Sequence, residues 1–369
     1  MKLSISTTEL LTQLQTVTRV ESTRSAVQAL SGVMISVTES SAELLATDME
    51  VGLRVRLRAD VSRAGQVVLP GRLLLDVSRA LPAEVVTLEL RAAEQDVELI
   101  SGGAVFHLRT LRTEDFPALP DPTAESRLAL PAAAFVETVE RVARSASKDE
   151  TRPVLTGILI SAAASELRMV ATDSYRLSVK RTSLEEPLTG ELEANVPARA
   201  LQELARIAQQ SQSTELAASV GQNQIVFELD GVILSSRLID GQFPNYRQLI
   251  PEAVEHELRL STAELTDVVR RISLLAQKNT PLKLAFGEGS LTISAQTPDI
   301  GEASETIPVP FHGEAFEIGF NPEFLRDGLE SIDTDELLMK LISPLRPGLL
   351  ESPQAGEFVY LVMPIRLNT

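Results

Sequence analysis

A chain of 369 residues exceeds the size at which one hydrophobic core keeps growing, so two or three domains are expected. Its 44% hydrophobic and 23% charged content suits a folded, soluble protein, and no apolar run approaches the ~20 residues of a membrane span. Cysteine is absent, which excludes disulfides, thiolate metal sites and thiol nucleophiles, while a net charge of −17 argues at first sight against a polyanionic partner. The start, MKLSISTTEL, is too polar for the core of a secretory signal, so a cytoplasmic address is expected.

Along the chain, Leu10, Leu14 and Val17 fall at i, i+4 and i+7 behind Thr7, which puts them on one stripe of a helix. β-rich stretches follow at Gly32–Val37, Val51–Leu57 and Val67–Leu69, with LLATD (Leu44–Asp48) between the first two. A second helix is predicted from Pro70 (PGRLLLDVSRALP), then strands at Val85–Leu90 and Val97–Ile100. LRTEDFPALP (Leu111–Pro120) reads as a turn into a linker.

The series then begins again. Phe135, Val139 and Val142 follow Pro131, and MVATD (Met169–Asp173) stands 125 residues after LLATD. Strands are expected at Gly157–Ile160, Leu167–Ala171, Leu177–Val179, Glu191–Val196, Thr214–Ala218 and Ile225–Leu229. A helix starts at Pro197 (PARALQELARIA), and LIDGQFPNYRQLIP (Leu238–Pro251) puts Phe243 in register with Phe116. A third round shows Leu265, Val269 and Ile272 behind Ser261, then NPEFLRDGLESID from Asn321. In the second helices Arg72, Arg199 and Glu323 correspond, as do Asp76, Glu203 and Asp327. Two helix types recurring in one order predict three tandem α+β domains, over 1–121, 122–251 and 252–369, each with two helices and antiparallel sheets.

Four motifs laid over this repeat resemble the bacterial DNA polymerase III beta subunits, the sliding clamps, along essentially the whole chain. They are ATDSYRL (Ala171–Leu177), LIDGQFPNY (Leu238–Tyr246), SPLRPGLL (Ser343–Leu350) and YLVMPIRL (Tyr360–Leu367), the last followed by two extra residues. The resemblance implies a head-to-tail dimeric ring of six domains, with helices lining the hole and sheets outside. It also implies a processivity factor that encircles duplex DNA without regard to sequence. Such a factor is a non-catalytic subunit of the DNA polymerase III holoenzyme, needs no cofactor, and partners the polymerase catalytic subunit, an ATP-dependent clamp loader and repair polymerases.

The charge balance fits that expectation. The six helical segments with their adjoining loops carry a net +2, so the rest of the chain carries −19. Arg24, Lys148, Arg152, Arg199, Arg270 and Arg271 are the expected DNA contacts, Arg24 and Arg152 by matching DNA-facing loop positions of the family and the others by helix position. Pro153 and Val154 stand where some members carry aromatics.

Carried over by motif, a peptide pocket is implied at Leu155, Thr172, Ser174, Tyr175, Arg176, Leu177, Pro244, Leu249, Val362, Met363, Pro364, Ile365 and Arg366. Its apolar residues would supply area for anchor side chains, and Arg176 and Arg366 would serve as rim cations. Gln248 occupies a position that is often basic. The dimer contact is expected at Phe106 and the pair Leu274 and Leu275, one of which should point away from the core, whereas GGAV (Gly102–Val105) lacks the arginines common there.

No catalytic residues are expected. His107, His256 and His312 lack metal-ligand spacing, and Asp48 and Asp173, though paired by the repeat, sit where Asp caps a turn. The rival from the charge alone is a tandem-repeat adaptor that binds peptides and not DNA.

Overall fold

The computed structural model describes residues 1–22, 26–122, 127–251, 253–276, 280–298, 300–353 and 357–367. Six α-helices occur among them: α1 (Thr7–Val17), α2 (Gly71–Arg79), α3 (Ala132–Val142), α4 (Ala198–Gln210), α5 (Thr262–Ser273) and α6 (Pro322–Glu330). All nine residues of the predicted i, i+4, i+7 trios in α1, α3 and α5 are buried, none more than 4% exposed. The periodic stripe therefore marks the core face in every copy, and truncating one such side chain to Ala would cost about 2–5 kcal/mol. Helix starts are fixed locally. Ser261 Oγ accepts from the Glu264 N–H at 3.3 Å, and Asn321 Oδ1 accepts from Glu323 and Phe324 at 2.9 and 3.2 Å, with Pro322 just inside α6.

The chain forms two compact units, Met1–Ala132 with Arg206–Leu238, and Ala133–Ala205 with Ile239–Thr369. In the first, α1 packs on α2, and a five-stranded sheet runs in the order Ala59–Arg63, Lys2–Ser6, Val85–Arg91, Asp96–Ser101, Ala104–Arg109. Its second sheet has eight strands: Arg127–Pro131, Glu215–Val220, Gln224–Leu229, Val232–Arg237, Val51–Leu57, Ala42–Thr47, Gly32–Val37 and Gly65–Pro70.

The other unit packs α5 on α6 and again holds an eight-stranded sheet. The order is Leu192–Pro197, Gly157–Ala163, Glu166–Thr172, Arg176–Ser183, Phe358–Val362, Gly348–Glu351, Glu336–Leu341, His256–Ser261. A four-stranded sheet (Gly301–Pro308, Ser290–Thr297, Leu282–Gly287, Phe316–Phe320) completes it. The core of this unit joins Leu265, Val268, Val269 and Ile272 of α5 to Leu325 and Leu329 of α6 and to the strands.

Both large sheets mix strands from successive copies of the repeat. Val51–Leu57 of copy one pairs antiparallel with Val232–Arg237 of copy two, and Arg176–Ser183 of copy two pairs antiparallel with Phe358–Val362 of copy three. The last strand of one copy thus lies on the strand that follows the Thr-Asp turn of the copy before. That pairing positions the site.

Candidate functional site

The Thr-Asp motif builds one turn twice. In copy two Thr172 Oγ1 donates to the Arg176 carbonyl at 2.7 Å, and the Ser174 N–H donates to Thr172 Oγ1 at 3.2 Å. Asp173 Oδ1 accepts from the Tyr175 and Arg176 N–H groups at 2.9 and 3.0 Å. In copy one Thr47 Oγ1 donates to the Val51 carbonyl at 2.8 Å and accepts from Met49 at 3.0 Å, while Asp48 Oδ1 accepts from Glu50 and Val51 at 3.0 and 2.8 Å. Met49 and Ser174 share a left-handed backbone, φ 79° and 80°. Both aspartates are engaged in capping, as their sequence context predicts.

In copy two the turn throws Tyr175 outward, 60% exposed, and the Met363 N–H donates to its carbonyl at 2.8 Å. Below it Arg176 stands opposite Val362 and Leu177 opposite Leu361. Leu177 and Leu361 are buried with Val170, Val179, Tyr246 and Leu349, and Phe243 and Ile250 pack against this cluster. Leu249, 51% exposed, lies in the turn Tyr246–Leu249, and Met363 is 39% exposed. Ile365 donates to the Gly319 carbonyl at 2.7 Å, which anchors the last described residues. A buried apolar cluster thus underlies the strands that end in exposed Tyr175 and Met363, and exposed Leu249 shares a turn with its member Tyr246, chemistry suited to an apolar peptide anchor.

The remaining predicted pocket residues take varied places. Leu155 is buried in the turn Pro153–Leu155, Thr172 and Val362 are buried, Ser174, Pro244 and Arg366 are exposed, and Pro364 and Ile365 are half-buried.

Arg176 departs from the rim role expected of it. Its side chain is 6% exposed, its Nε donates to Asp173 Oδ2 at 3.1 Å, and its Nη1 donates to Asp327 Oδ2 at 2.5 Å. The guanidinium lies 4.4 Å from the centroid of the Phe324 ring, which itself stacks on Tyr175 at 6.4 Å. Burial works against its charge, but Tyr360, Asp327 and Asp173 together hold its pKa above the ordinary arginine value. Burial likewise pushes the Tyr360 phenol well above the usual tyrosine range, with Arg176 opposing, and its hydroxyl donates to the Phe324 carbonyl at 2.7 Å. Arg176 is therefore fixed in place by two carboxylates and a ring, and is not free at the surface.

Phe324, Asp327, Tyr360 and Tyr246 were not singled out as site residues by sequence. One signal was present: Gly328 interrupts α6, and a Cβ there would meet the Tyr360 ring at 2.5 Å, so only glycine lets α6 approach that strand.

Of the expected DNA contacts, Arg24 lies outside the described residues. Lys148 and Arg199 are exposed, Arg199 in the first turn of α4. Arg152 bonds Asp149 Oδ2 at 3.1 Å and Ser174 Oγ at 3.0 Å. Arg271 grips both oxygens of Glu305 at 3.0 and 2.7 Å, and Arg270 grips Glu330 at 3.1 and 2.8 Å. Among the residues expected at the dimer contact, Phe106 is half-buried on the edge strand Ala104–Arg109, beside Val105 at 53% exposure. Leu274 is 83% exposed and Leu275 half-buried, so it is Leu274 that points away from the core.

Profiles of the N-terminal, central and C-terminal domains of the DNA polymerase III beta subunit match residues 1–120, 129–245 and 247–366. The chain belongs to the DNA polymerase III beta subunit family. Its relatives include the beta sliding clamp of Streptomyces coelicolor, 34% identical over 92% of both chains, and that of Synechococcus elongatus, 32% identical over the full length of both. Among solved structures it is similar to the Bacillus subtilis DNA polymerase sliding clamp, with 27% identity, full coverage of both chains and a TM-score of 0.93. A Pseudomonas aeruginosa sliding clamp bound to griselimycin is 28% identical, with full coverage of both chains and a TM-score of 0.91. Three tandem clamp domains make up the fold, and its function is that of the polymerase III sliding clamp, a processivity factor. Among the described residues no helix is long and apolar enough to cross a membrane.

Proposed function

We propose that two copies of this chain close head to tail into a ring around duplex DNA. Short linear motifs of polymerases, a clamp loader and repair proteins would bind at the Tyr175–Met363 junction of each. The observation that carries the pocket is the buried apolar cluster of Leu177 and Leu361 beside exposed Tyr175, Leu249 and Met363. At roughly 25 cal/mol per Å² buried, a few anchor side chains there give useful affinity. Leu155, Thr172, Ser174, Pro244, Val362, Pro364, Ile365 and Arg366 complete the wall, with Arg366 as the rim cation and Arg176 as its internal brace.

Ring closure would join the edge strand Ala104–Arg109 of one copy to the domain-three edge of the next, with Phe106, Leu274 and Leu275 at the contact. A heterologous contact that closes leaves no strand edge open to aggregation. Lys148, Arg152, Arg199, Arg270 and Arg271, with Arg24, would touch phosphates from the helical lining, sequence-independently and weakly. In this reading the chain works in the cytoplasm and catalyses nothing itself, and the energy for opening the ring comes from the loader.

The test is topological. Protein loaded on a closed circular duplex should stay bound at high salt and leave when the circle is cut. Retention on the linear product, with both ends free, would sink the ring reading.

A further inference from the structure

α6 is the most acidic of the six helices, with Glu323, Asp327 and Glu330 against a single Arg326. An acidic helix in a wall meant to face phosphate calls for an explanation, and the ion pairs supply one. Glu330, the last residue of α6, points its two oxygens at two different guanidiniums. Oε2 accepts from Arg144, in the turn that follows α3, and Oε1 accepts from Arg270 of α5 at 3.1 and 2.8 Å. Asp327, one turn earlier, approaches the same Arg144 at 3.6 Å while holding Arg176, Asp267 stands 3.9 Å from Arg270, and Asp333 takes Arg141 at 2.6 Å.

Exposure divides this network into two parts. Arg176 and Asp327 are 6% and 14% exposed and pair with each other out of solvent. Arg144 and Arg270 are 44% and 55% exposed and have room to turn toward a ligand, whereas Glu330 at 20% stays behind them. A phosphate arriving at either arginine meets a guanidinium whose charge is already half answered. It must compete with a carboxylate that needs no ordering.

We infer that Glu330 restrains the grip on DNA: it holds Arg144 and Arg270 in ion pairs that duplex phosphates must displace, and so keeps a topologically trapped ring free to slide. The inference rests on the reading that α3, α5 and α6 face the duplex. Sliding needs phosphate contacts that are many, weak and exchangeable, because each firm contact adds to the electrostatic term in affinity and slows movement along the strand. A fixed counter-charge behind each arginine pair gives that weakness without loss of arginines, which are still needed for a positive average potential over the hole. It also makes Arg144, absent from the helix-position list of contacts, a member of the DNA-facing set.

The experiment uses the full-length dimer and a short fluorescent linear duplex, whose weak direct binding is followed by anisotropy from about 50 to 200 mM salt. Glu330→Gln, isosteric and neutral, should tighten binding roughly three- to tenfold at low salt and steepen the log–log salt slope by about one to two. Glu330→Asp keeps the charge and should stay within about twofold of the parent. R270A should weaken binding in both the parent and E330Q backgrounds. Native mass confirms that each variant is still a dimer, and E330D carries the test should E330Q fail to assemble, since affinity within about twofold of the parent fits a retained counter-charge and a larger change in either direction contradicts it. Unchanged affinity in dimeric E330Q, with R270A still weakening binding, would overturn the restraint and leave the DNA-facing reading intact. Silence of R270A in both backgrounds would overturn the DNA-facing reading itself, and the restraint with it.

Discussion

The two Thr-Asp junctions share a backbone bond for bond and differ in nearly every side chain that faces out of it. Arg237 donates to the Glu50 carbonyl at 2.9 Å as Met363 does to Tyr175 at 2.8 Å, and Gly52 stands opposite Ser235 as Leu177 stands opposite Leu361. Ser236 and Arg237 thus take the places of Val362 and Met363. Gly52 has no room for a side chain: a Cβ there would meet Ser235 Oγ at 2.7 Å and Leu119 Cδ2 at 2.8 Å. The first cleft, about 140 Å³, is lined by Thr47, Glu50, Gln224, Ser235, Ser236 and Arg237 together with Met49, Val51, Leu119 and Pro120, and it has Gly52, Ser236 and Arg237 where the second junction has Leu177, Val362 and Met363. Repetition supplies the frame, and side-chain chemistry tells its two copies apart.

The largest effect that would break this comparison is loss of the C-terminal segment. Deleting Met363–Thr369 should abolish peptide binding, more than about a hundredfold in Kd, or at least ~2.7 kcal/mol. The dimer should persist by native mass, and dissociation of the dimer would show the segment to be structural. Next comes the brace. D327N leaves Arg176 buried with only Asp173, and should cost about 3 kcal/mol in chemical denaturation. D76N, at the corresponding exposed position beside Arg79, should cost under about 0.5 kcal/mol. Equal costs would mean that the two junctions are braced alike.

Y175A and M363A should each weaken peptide binding by roughly tenfold, with the melting temperature unmoved, because both side chains are exposed. D48A should destabilise by about 1 kcal/mol through its lost capping bonds, and D173A by more, since Asp173 also pairs with the buried Arg176. Equal costs there would mean that the ion pair to Arg176 adds nothing to the shared cap.

The smallest effect is one of pH. The hydrogen bond from Arg144, and then that from Arg270, holds the Glu330 carboxyl below its usual range although burial works the other way. A depressed carboxylate pKa gives stability that is present above the unfolded value and lost as pH falls through the folded one. The melting-temperature gap between the parent and E330Q should therefore be open at pH 7 and close in acid below the ordinary carboxylate range. A gap that widens in acid would contradict the pairing.

What was legible in the sequence followed from short-range rules. The helix trios were readable because a 3.6-residue period leaves one stripe to bury, and the aspartate caps because Thr-Asp bonds to backbone two and three residues on. Strand pairing between copies was not, because alternation tells which face is buried and not which strand lies alongside. The strand Lys2–Ser6 and its edge neighbour Ala59–Arg63 are not legible for a related reason, since alternating polar residues weaken the apolar signal. Arg176 was misjudged because its partner Asp327 is 151 residues away, and no local pattern distinguishes a braced guanidinium from a rim one. The correspondence of Asp76, Glu203 and Asp327 is visible, yet the repeat does not say that Asp327 holds a buried arginine while Asp76 meets Arg79 at the surface.

Ligand stoichiometry tests the central claim, a single apolar pocket per chain, most directly. Native mass spectrometry of the dimer with a short apolar linear-motif peptide should show one molecule per chain, lost on deletion of Met363–Thr369 and unchanged by R237A. Two molecules per chain, or one that survives the deletion, would contradict it.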